Sequence, residues 1–139
     1  MREVNIHMAF ETLVNNTTDL SDGSLNMSAK KKNMMLLSDI LDSQTVNDED
    51  YVAEKVIDNA LHIIFHLNHQ PEIFKTGRNS LHLQFELTDR SYMELEVFED
   101  RITCMMVPDR AYSQASYPEV SLDDMEKINK IVGDFYGDE

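Results

Sequence analysis

Apolar and polar residues alternate along three consecutive runs between residues 81 and 106. Successive side chains of a strand point to opposite faces, so a period of two predicts three strands, each with one buried face. We therefore predict a three-stranded antiparallel β-meander. The inward-facing residues are Leu81, Leu83, Phe85 and Leu87 in the first run, Met93, Leu95 and Val97 in the second, and Ile102, Cys104 and Met106 in the third.

The connections between these runs fix the register of the meander. A two-residue turn at Glu99-Asp100 keeps the apolar residues of the second and third runs opposite one another. Two registers of the first hairpin keep the faces matched, and one of them sets Glu86 opposite Glu94. Like charges directly opposite are unfavourable, so we prefer the register that sets His82 opposite Glu96.

Apolar residues at helical spacing predict three helices. Ser28 is the expected N-cap of a helix over residues 29–42, and the longest helix is expected over residues 48–68. Ser121 and Asp124 have the spacing of a capping box, which predicts the start of the last helix. The apolar stripes are Met34, Leu37, Ile40 and Leu41 in the first helix, Ala53, Val56, Ile57, Ala60, Ile63, Ile64 and Leu67 in the second, and Leu122, Met125, Ile128, Val132 and Phe135 in the third.

The order helix, helix, three strands, helix contains no parallel βαβ unit. This order is typical of the α+β class, with about three helices packed on one face of an antiparallel sheet. We predict a single α+β domain over residues 28–139. Residues 1–27 are polar and irregular except for alternating apolar residues between Val4 and Phe10, so this arm is interpreted as a fourth strand or as a partly disordered segment.

The formal net charge of the 139 residues is -14. Such a charge repels nucleic-acid phosphates and anionic lipid, and it favours the approach of basic proteins. We therefore expect a basic protein partner, no direct nucleic-acid binding and no membrane association. Solubility alone is the other explanation of the charge. The one basic run, Lys30 to Lys32, is interpreted as a solvated helix face.

Cellular location is indicated by two sequence features. The chain contains no run of about 18 apolar residues, and its first ten residues lack the apolar segment of a signal peptide. The single cysteine, Cys104, suits a reducing compartment and is expected to be a small buried hydrophobic residue. We expect a cytoplasmic protein.

Three histidines lie in one sector of the long predicted helix. His62 and His66 are four residues apart, close enough to share a metal ion, whereas His69 is more than two turns from His62 and hardly reaches the same ion. We interpret them as surface histidines and expect no cofactor. A metal-dependent enzyme that uses His62 and His66 remains an alternative.

The meander also carries an acidic row, formed by Glu86, Glu94 and Glu96 on the face that we predict to be wetter. Catalysis by paired carboxylates needs neighbours that separate their pKa values, and we expect no such neighbours here. Met105 on the same face is expected to be covered by the arm or contacted by a partner. We interpret Glu86, Glu94, Glu96, Glu99 and Met105 as partner-binding residues.

Motifs for phosphate binding and for the common hydrolases are absent from the sequence. We therefore predict a small, acidic, non-enzymatic interaction protein that binds a basic partner, such as an antitoxin, an immunity protein or an inhibitor. An acidic mimic of nucleic acid, from a phage or a mobile element, is an alternative. A homodimer that pairs the outward sheet faces is a structural alternative.

Residues 71–107 and the preceding helix resemble a loosely defined group of small, uncharacterised prokaryotic α+β proteins. The shared pattern is a helix, a proline, a Thr-Gly-like loop, strands that read roughly I-Q-L-E-Y and L-E-I-E-I, and a short acidic turn. The resemblance implies this fold and implies no activity. The matching residues are Pro71, Phe74, Thr76-Gly77-Arg78-Asn79, Leu81-His82-Leu83-Gln84-Phe85-Glu86, Tyr92-Met93-Glu94-Leu95-Glu96-Val97 and Glu99-Asp100-Arg101-Ile102.

Overall fold

A computed structural model describes residues 24–138 of the chain. Its four strands form one antiparallel sheet in the order β1-β2-β3-β4, and three helices accompany it, which confirms the predicted α+β class. No helix in this part of the chain is long and apolar enough to cross a membrane. The elements are α1 (Ser24–Ser43), α2 (Glu54–His66), β1 (Glu72–Lys75), β2 (Leu81–Glu86), β3 (Tyr92–Val97), β4 (Ile102–Val107) and α3 (Met125–Tyr136), with short 3-10 turns at Pro108–Arg110 and Tyr112–Gln114.

The three predicted strands are β2, β3 and β4, and both predicted registers are confirmed. His82 lies opposite Glu96 between β2 and β3, and Val97 lies opposite Ile102 between β3 and β4. The second hairpin closes tightly, because the backbone N–H of Phe98 donates to the carbonyl of Arg101 at 2.9 Å. The alternation of apolar and polar residues, combined with the avoidance of opposed glutamates, was therefore sufficient to set the register.

A fourth strand, β1, pairs with β2 at a place where we predicted no strand. Ile73 lies opposite Leu83 and is only 9% exposed, whereas its neighbours in β1 are exposed. A single buried residue gives no periodicity, so the sequence pattern does not reveal this strand. The loop to β2 contains Gly77 at a φ of 82°, a left-handed conformation that glycine adopts without steric cost. The strand predicted near residues 4–10 lies outside the described residues.

One hydrophobic core joins the sheet to the helices. The sheet face that carries Leu83 and Leu95 belongs to the same buried cluster as Met34 of α1, Ile64 of α2 and Val132 of α3. Burial of these apolar side chains is the main source of stability for a chain of this size. We call the opposite side of the sheet the outward face, which consists of Glu72, Phe74, His82, Gln84, Glu86, Tyr92, Glu94, Glu96, Thr103, Met105 and Val107.

Helix α1 begins earlier than the sequence predicts. It starts at Ser24, so the prediction of Ser28 as N-cap is wrong. Leu25, Met27 and Ala29 are good helix formers, and a serine among them costs only a few tenths of a kcal/mol, so the helix continues through Ser28.

Helix α2 is shorter than the predicted span of residues 48–68. Near the start of the predicted span, the Asp48 carboxylate accepts a hydrogen bond of 2.8 Å from the backbone N–H of Thr45. The side-chain oxygen of Gln44 accepts one of 2.9 Å from the N–H of Val52. These side chains give the backbone an alternative to helical hydrogen bonds. The helix therefore begins only at Glu54.

The end of α2 is capped by side chains from other parts of the chain. Gln70 Nε2 donates to the carbonyl of Ile64 at 3.0 Å, and Lys30 Nζ donates to the carbonyl of Phe65 at 2.8 Å. Both bonds satisfy carbonyls that a helix end leaves without a partner. Burial lowers the pKa of the Lys30 amine. The prediction that Lys30 is simply solvated is therefore wrong.

Helix α3 begins one turn after the predicted capping box. Asp124 is its N-cap and accepts a hydrogen bond of 3.1 Å from the N–H of Lys127. Ser121 instead accepts a bond of 3.2 Å from the N–H of Asp123, in the turn before the helix. The prediction of a cap at Ser121 is wrong because this turn satisfies the serine locally. Gly137, at a φ of 79°, ends the helix.

Candidate functional site

Glu96 is a nearly buried carboxylate on the outward face, with a side chain that is only 9% exposed. Arg78 binds it through two nitrogens, with Nε 2.9 Å from Oε2 and Nη2 2.8 Å from Oε1. The hydroxyl of Ser80 donates to Oε2 at 2.5 Å, and His82 Nε2 lies 3.1 Å from Oε1. Both oxygens of Glu96 therefore have two hydrogen-bond donors each.

These donors are positioned by the loop between β1 and β2 and by the first residues of β2. The Thr76 hydroxyl lies 2.6 Å from that of Ser80 and accepts a bond of 3.2 Å from the N–H of Arg78. These bonds tighten the loop, and the antiparallel register brings His82 opposite Glu96. The sequence predicts the His82–Glu96 pairing, but no local signal predicts the contribution of the loop.

Glu96 is held in its charged form. Burial by itself raises the pKa of the carboxyl group, but the hydrogen bonds from Arg78, Ser80 and His82 outweigh this effect, and the pKa is lowered. The same pairing raises the pKa of Arg78. The prediction that no neighbouring side chain fixes the sheet glutamates is therefore wrong for Glu96.

His82 bridges the two glutamates of β3. Its Nε2 lies 3.1 Å from Glu96 Oε1 and 3.3 Å from Glu94 Oε2. Carboxylates only accept hydrogen bonds, so both contacts require a proton on Nε2. The distance of 3.3 Å from Arg78 Nη2 to the same nitrogen then joins two donors and is not a hydrogen bond.

Glu94 is fixed from its other side by a tyrosine. The Tyr92 hydroxyl donates to Glu94 Oε1 at 2.7 Å, which leaves Oε2 directed at His82. Burial raises the pKa of Tyr92, and the hydrogen bond to Glu94 and its charge raise it further. The phenol therefore keeps its proton and its role as a donor. Glu94 and Glu96 are more enclosed than we predicted.

The remaining predicted residues of the sheet lie in different surroundings. Glu86 is exposed and forms an ion pair with Arg110, whose guanidinium carbon lies 4.6 Å from the centre of the Tyr92 ring. Met105 is half-buried opposite Glu94. Arg110 follows β4, so residues after the meander cover part of the outward face, whereas we predicted cover by the N-terminal arm or by a partner.

Cys104 lies on the core side of β4 and is 4% exposed, which confirms the prediction of a buried cysteine. Burial raises the pKa of its thiol to about 11, and the charge of Glu94 contributes to the rise. A thiol with this pKa is protonated at neutral pH and is a weak nucleophile.

Glu99 lies apart from the other predicted partner-binding residues, in the turn between β3 and β4. Asn59 of α2 anchors this turn, because its Nδ2 donates to the carbonyls of Phe98 at 2.8 Å and Glu99 at 3.0 Å. The turn borders an open depression that we call the hairpin groove. The groove is lined by Lys55, Asn59, His62, Glu99, Asp100, Arg101, Ile102, Val120, Ser121, Leu122 and Asp123.

Charges in the hairpin groove are partly paired. Arg101 Nη1 lies 3.0 Å from Asp100, and its guanidinium carbon lies 3.9 Å from the centre of the Phe98 ring. Glu99 and Asp123 are exposed, and neither forms an ion pair with another residue of the described range. Asp123 was not predicted as part of this surface, because only the fold brings the segment before α3 beside the turn.

The three histidines of the predicted helix face do not act together. The rings of His62 and His66 lie 4.6 Å apart, and His66 Nδ1 lies 2.9 Å from the carbonyl of His62. His69 is separate: its Nε2 lies 2.5 Å from Asp138, and its ring stacks on Tyr136. Burial, followed by the charge of His66, lowers the pKa of His62.

Between residues 24 and 138, one group of three metal-ligating side chains has its ligand atoms close together. This group is His82, Glu94 and Glu96, whose ligand atoms lie within 4.8 Å of one another. In the comparisons with known proteins, no family model, no curated protein and no solved structure matches the chain.

Proposed function

We propose that this protein is a small, non-enzymatic interaction protein that binds a basic protein partner, in the manner of an antitoxin, an immunity protein or an inhibitor. The observation that carries the proposal is the balance of exposed charge. Most Asp and Glu side chains of the described range are exposed, and they outnumber the exposed Lys and Arg side chains. A surface of this kind attracts a basic protein before contact and orients it.

The geometry favours the hairpin groove as the docking surface. Glu94 and Glu96 are already bound by Tyr92, His82 and Arg78, so they have little capacity left for a partner. Glu99 remains accessible on an anchored turn.

The groove suits a lysine or arginine side chain from a partner. The carboxylates of Glu99 and Asp123 would receive its charged end, while Val120 and Leu122 would contact its apolar stem. Because Asn59 already holds the turn, binding would order few additional residues, which limits its entropic cost.

Two doubly substituted variants test the surface. We expect wild-type protein to capture a basic protein from a lysate of its native host, and we expect Glu99→Gln with Asp123→Asn to weaken this binding. Each rim charge contributes about 0.2 to 1 kcal/mol, so the double variant should raise the Kd roughly 2- to 30-fold.

A matched control removes two exposed acids elsewhere. Asp39→Asn with Asp42→Asn removes the same number of negative charges from α1 and leaves the groove intact. This control should change the Kd by less than about twofold, because screened charges outside the contact contribute little. Capture of an acidic or neutral partner, or equal loss of binding in both double variants, would contradict the proposed surface.

A further inference from the structure

We propose that His82, Glu94 and Glu96 form a binding site for a divalent transition metal ion of the zinc class. The three side chains come from two neighbouring strands and share the outward face of the sheet. His82 Nε2 lies 3.1 Å from one carboxylate oxygen and 3.3 Å from the other. Ligands bound to one ion at about 2.0 to 2.2 Å have neighbours at about this separation.

One oxygen of each glutamate is directed at the histidine. Tyr92 holds Glu94 by Oε1, and Ser80 holds Glu96 by Oε2, so the other oxygen of each carboxylate faces His82 Nε2. Glu96 Oε1 also accepts a hydrogen bond of 2.8 Å from Arg78 Nη2, which a bound ion would displace. Hydrogen bonds that orient ligating carboxylates in this way are typical of metal sites, and their loss usually costs 10- to 100-fold in affinity. The arrangement would bind an ion without a change of strand register.

Local charge also favours a cation. With a neutral imidazole, the carboxylates of Glu94 and Glu96 exceed the single guanidinium of Arg78 by one negative charge. The proton now required on His82 Nε2 lies between the two carboxylates, and a metal ion would take this position while the proton moves to Nδ1 of the same ring through solvent. Arg78 would keep its bond from Nε to Glu96 Oε2.

The ligand set selects a class of ion. One imidazole nitrogen and two carboxylate oxygens suit Zn²⁺, Co²⁺ or Mn²⁺, and three protein ligands leave room for water on the open side. The side chains of His82 and Glu94 are 19% and 17% exposed, so an ion can reach them from solvent. This site is separate from the hairpin groove and does not depend on the proposed partner.

The experiment must exclude the His62–His66 pair, which is a competing site on α2. We therefore use His62→Ala/His66→Ala as the reference protein and titrate it with Zn²⁺ by calorimetry and with Co²⁺ by visible absorption. We expect one ion per chain. Adding His82→Ala or Glu94→Gln should lower the affinity at least about a hundredfold, and adding Tyr92→Phe, which removes one orienting hydrogen bond, should lower it less, by roughly tenfold.

Circular dichroism and thermal unfolding of each variant show whether it is folded. If the reference protein binds no ion at micromolar concentrations, the proposal is overturned. Binding that is unchanged by His82→Ala in a folded variant would equally overturn it. If His82→Ala does not fold, the affinity of Glu94→Gln for the ion is the test. The neutral amide keeps the shape of the side chain and is a much weaker metal ligand than the carboxylate.

Discussion

At the scale of single residues, the pairing of Arg78 with Glu96 is bidentate, with two nitrogens of one guanidinium bound to the two oxygens of one carboxylate. Arg78 is 60% exposed, but its partner carboxylate is almost completely buried. Removing the arginine leaves a charge that water reaches poorly, which makes the loss larger than for an ordinary surface ion pair.

We predict that Arg78→Ala lowers the free energy of unfolding by clearly more than a substitution at an ordinary exposed position, because Glu96 loses two of its four hydrogen bonds. Urea denaturation measures this change. Lys32→Ala, at an exposed position of α1, is the control and should stay within about 0.5 kcal/mol of wild type. A loss in Arg78→Ala no larger than in the control would show that Ser80 and His82 are sufficient for Glu96.

At the scale of elements, Asn59 connects helix α2 to the turn between β3 and β4. Its amide donates to two carbonyls, those of Phe98 and Glu99. We predict that Asn59→Ala lowers the free energy of unfolding by about 1 to 2 kcal/mol, because both acceptors lose a partner. Amide hydrogen exchange should accelerate in β3 and β4 more than in α1. The exposed Asn47→Ala is the control, and equal exchange in both variants would argue against an anchoring role.

The strands and the helix limits show how far the sequence determines the fold. The strands β2 to β4 were predictable because each carries at least three core-facing residues at a period of two. Strand β1 was not predictable, because Ile73 is its one buried residue. The helix limits were wrong where polar side chains, such as Asp48 and Gln70, satisfy backbone groups near the helix ends.

The candidate sites were less predictable than the strands. Register alone brings His82 beside Glu96, and that contact was anticipated. The contact of Arg78 with Glu96 was not anticipated, because it depends on the conformation of the loop residues 76–80. Burial of a carboxylate on a polar sheet face follows from these distant contacts, and a periodic pattern contains no information about them.

At the scale of the whole molecule, stability should depend on pH through His62. Burial and the charge of His66 lower the pKa of His62 in the folded protein. The unfolded chain therefore binds this proton more tightly, and the free energy of unfolding falls as pH drops below the ordinary histidine pKa of about 6.5. We predict that His62→Gln reduces the difference in unfolding free energy between about pH 8 and about pH 5.5. An unchanged difference in urea titrations would contradict this assignment.

From the -14 charge of the chain we propose that the protein acts by electrostatic attraction of a basic partner. Both signs of charge line the hairpin groove, so opposite substitutions are available. Glu99→Gln removes an attractive charge, and Lys55→Gln removes a repulsive one.

The most direct test is the association rate constant with the captured partner, measured by stopped flow over a range of salt concentrations. We predict that the rate constant falls steeply as salt rises, that Glu99→Gln lowers it at low salt, and that Lys55→Gln raises it. A rate constant that does not depend on salt, or that changes in the same direction in both variants, would contradict electrostatic attraction as the basis of binding.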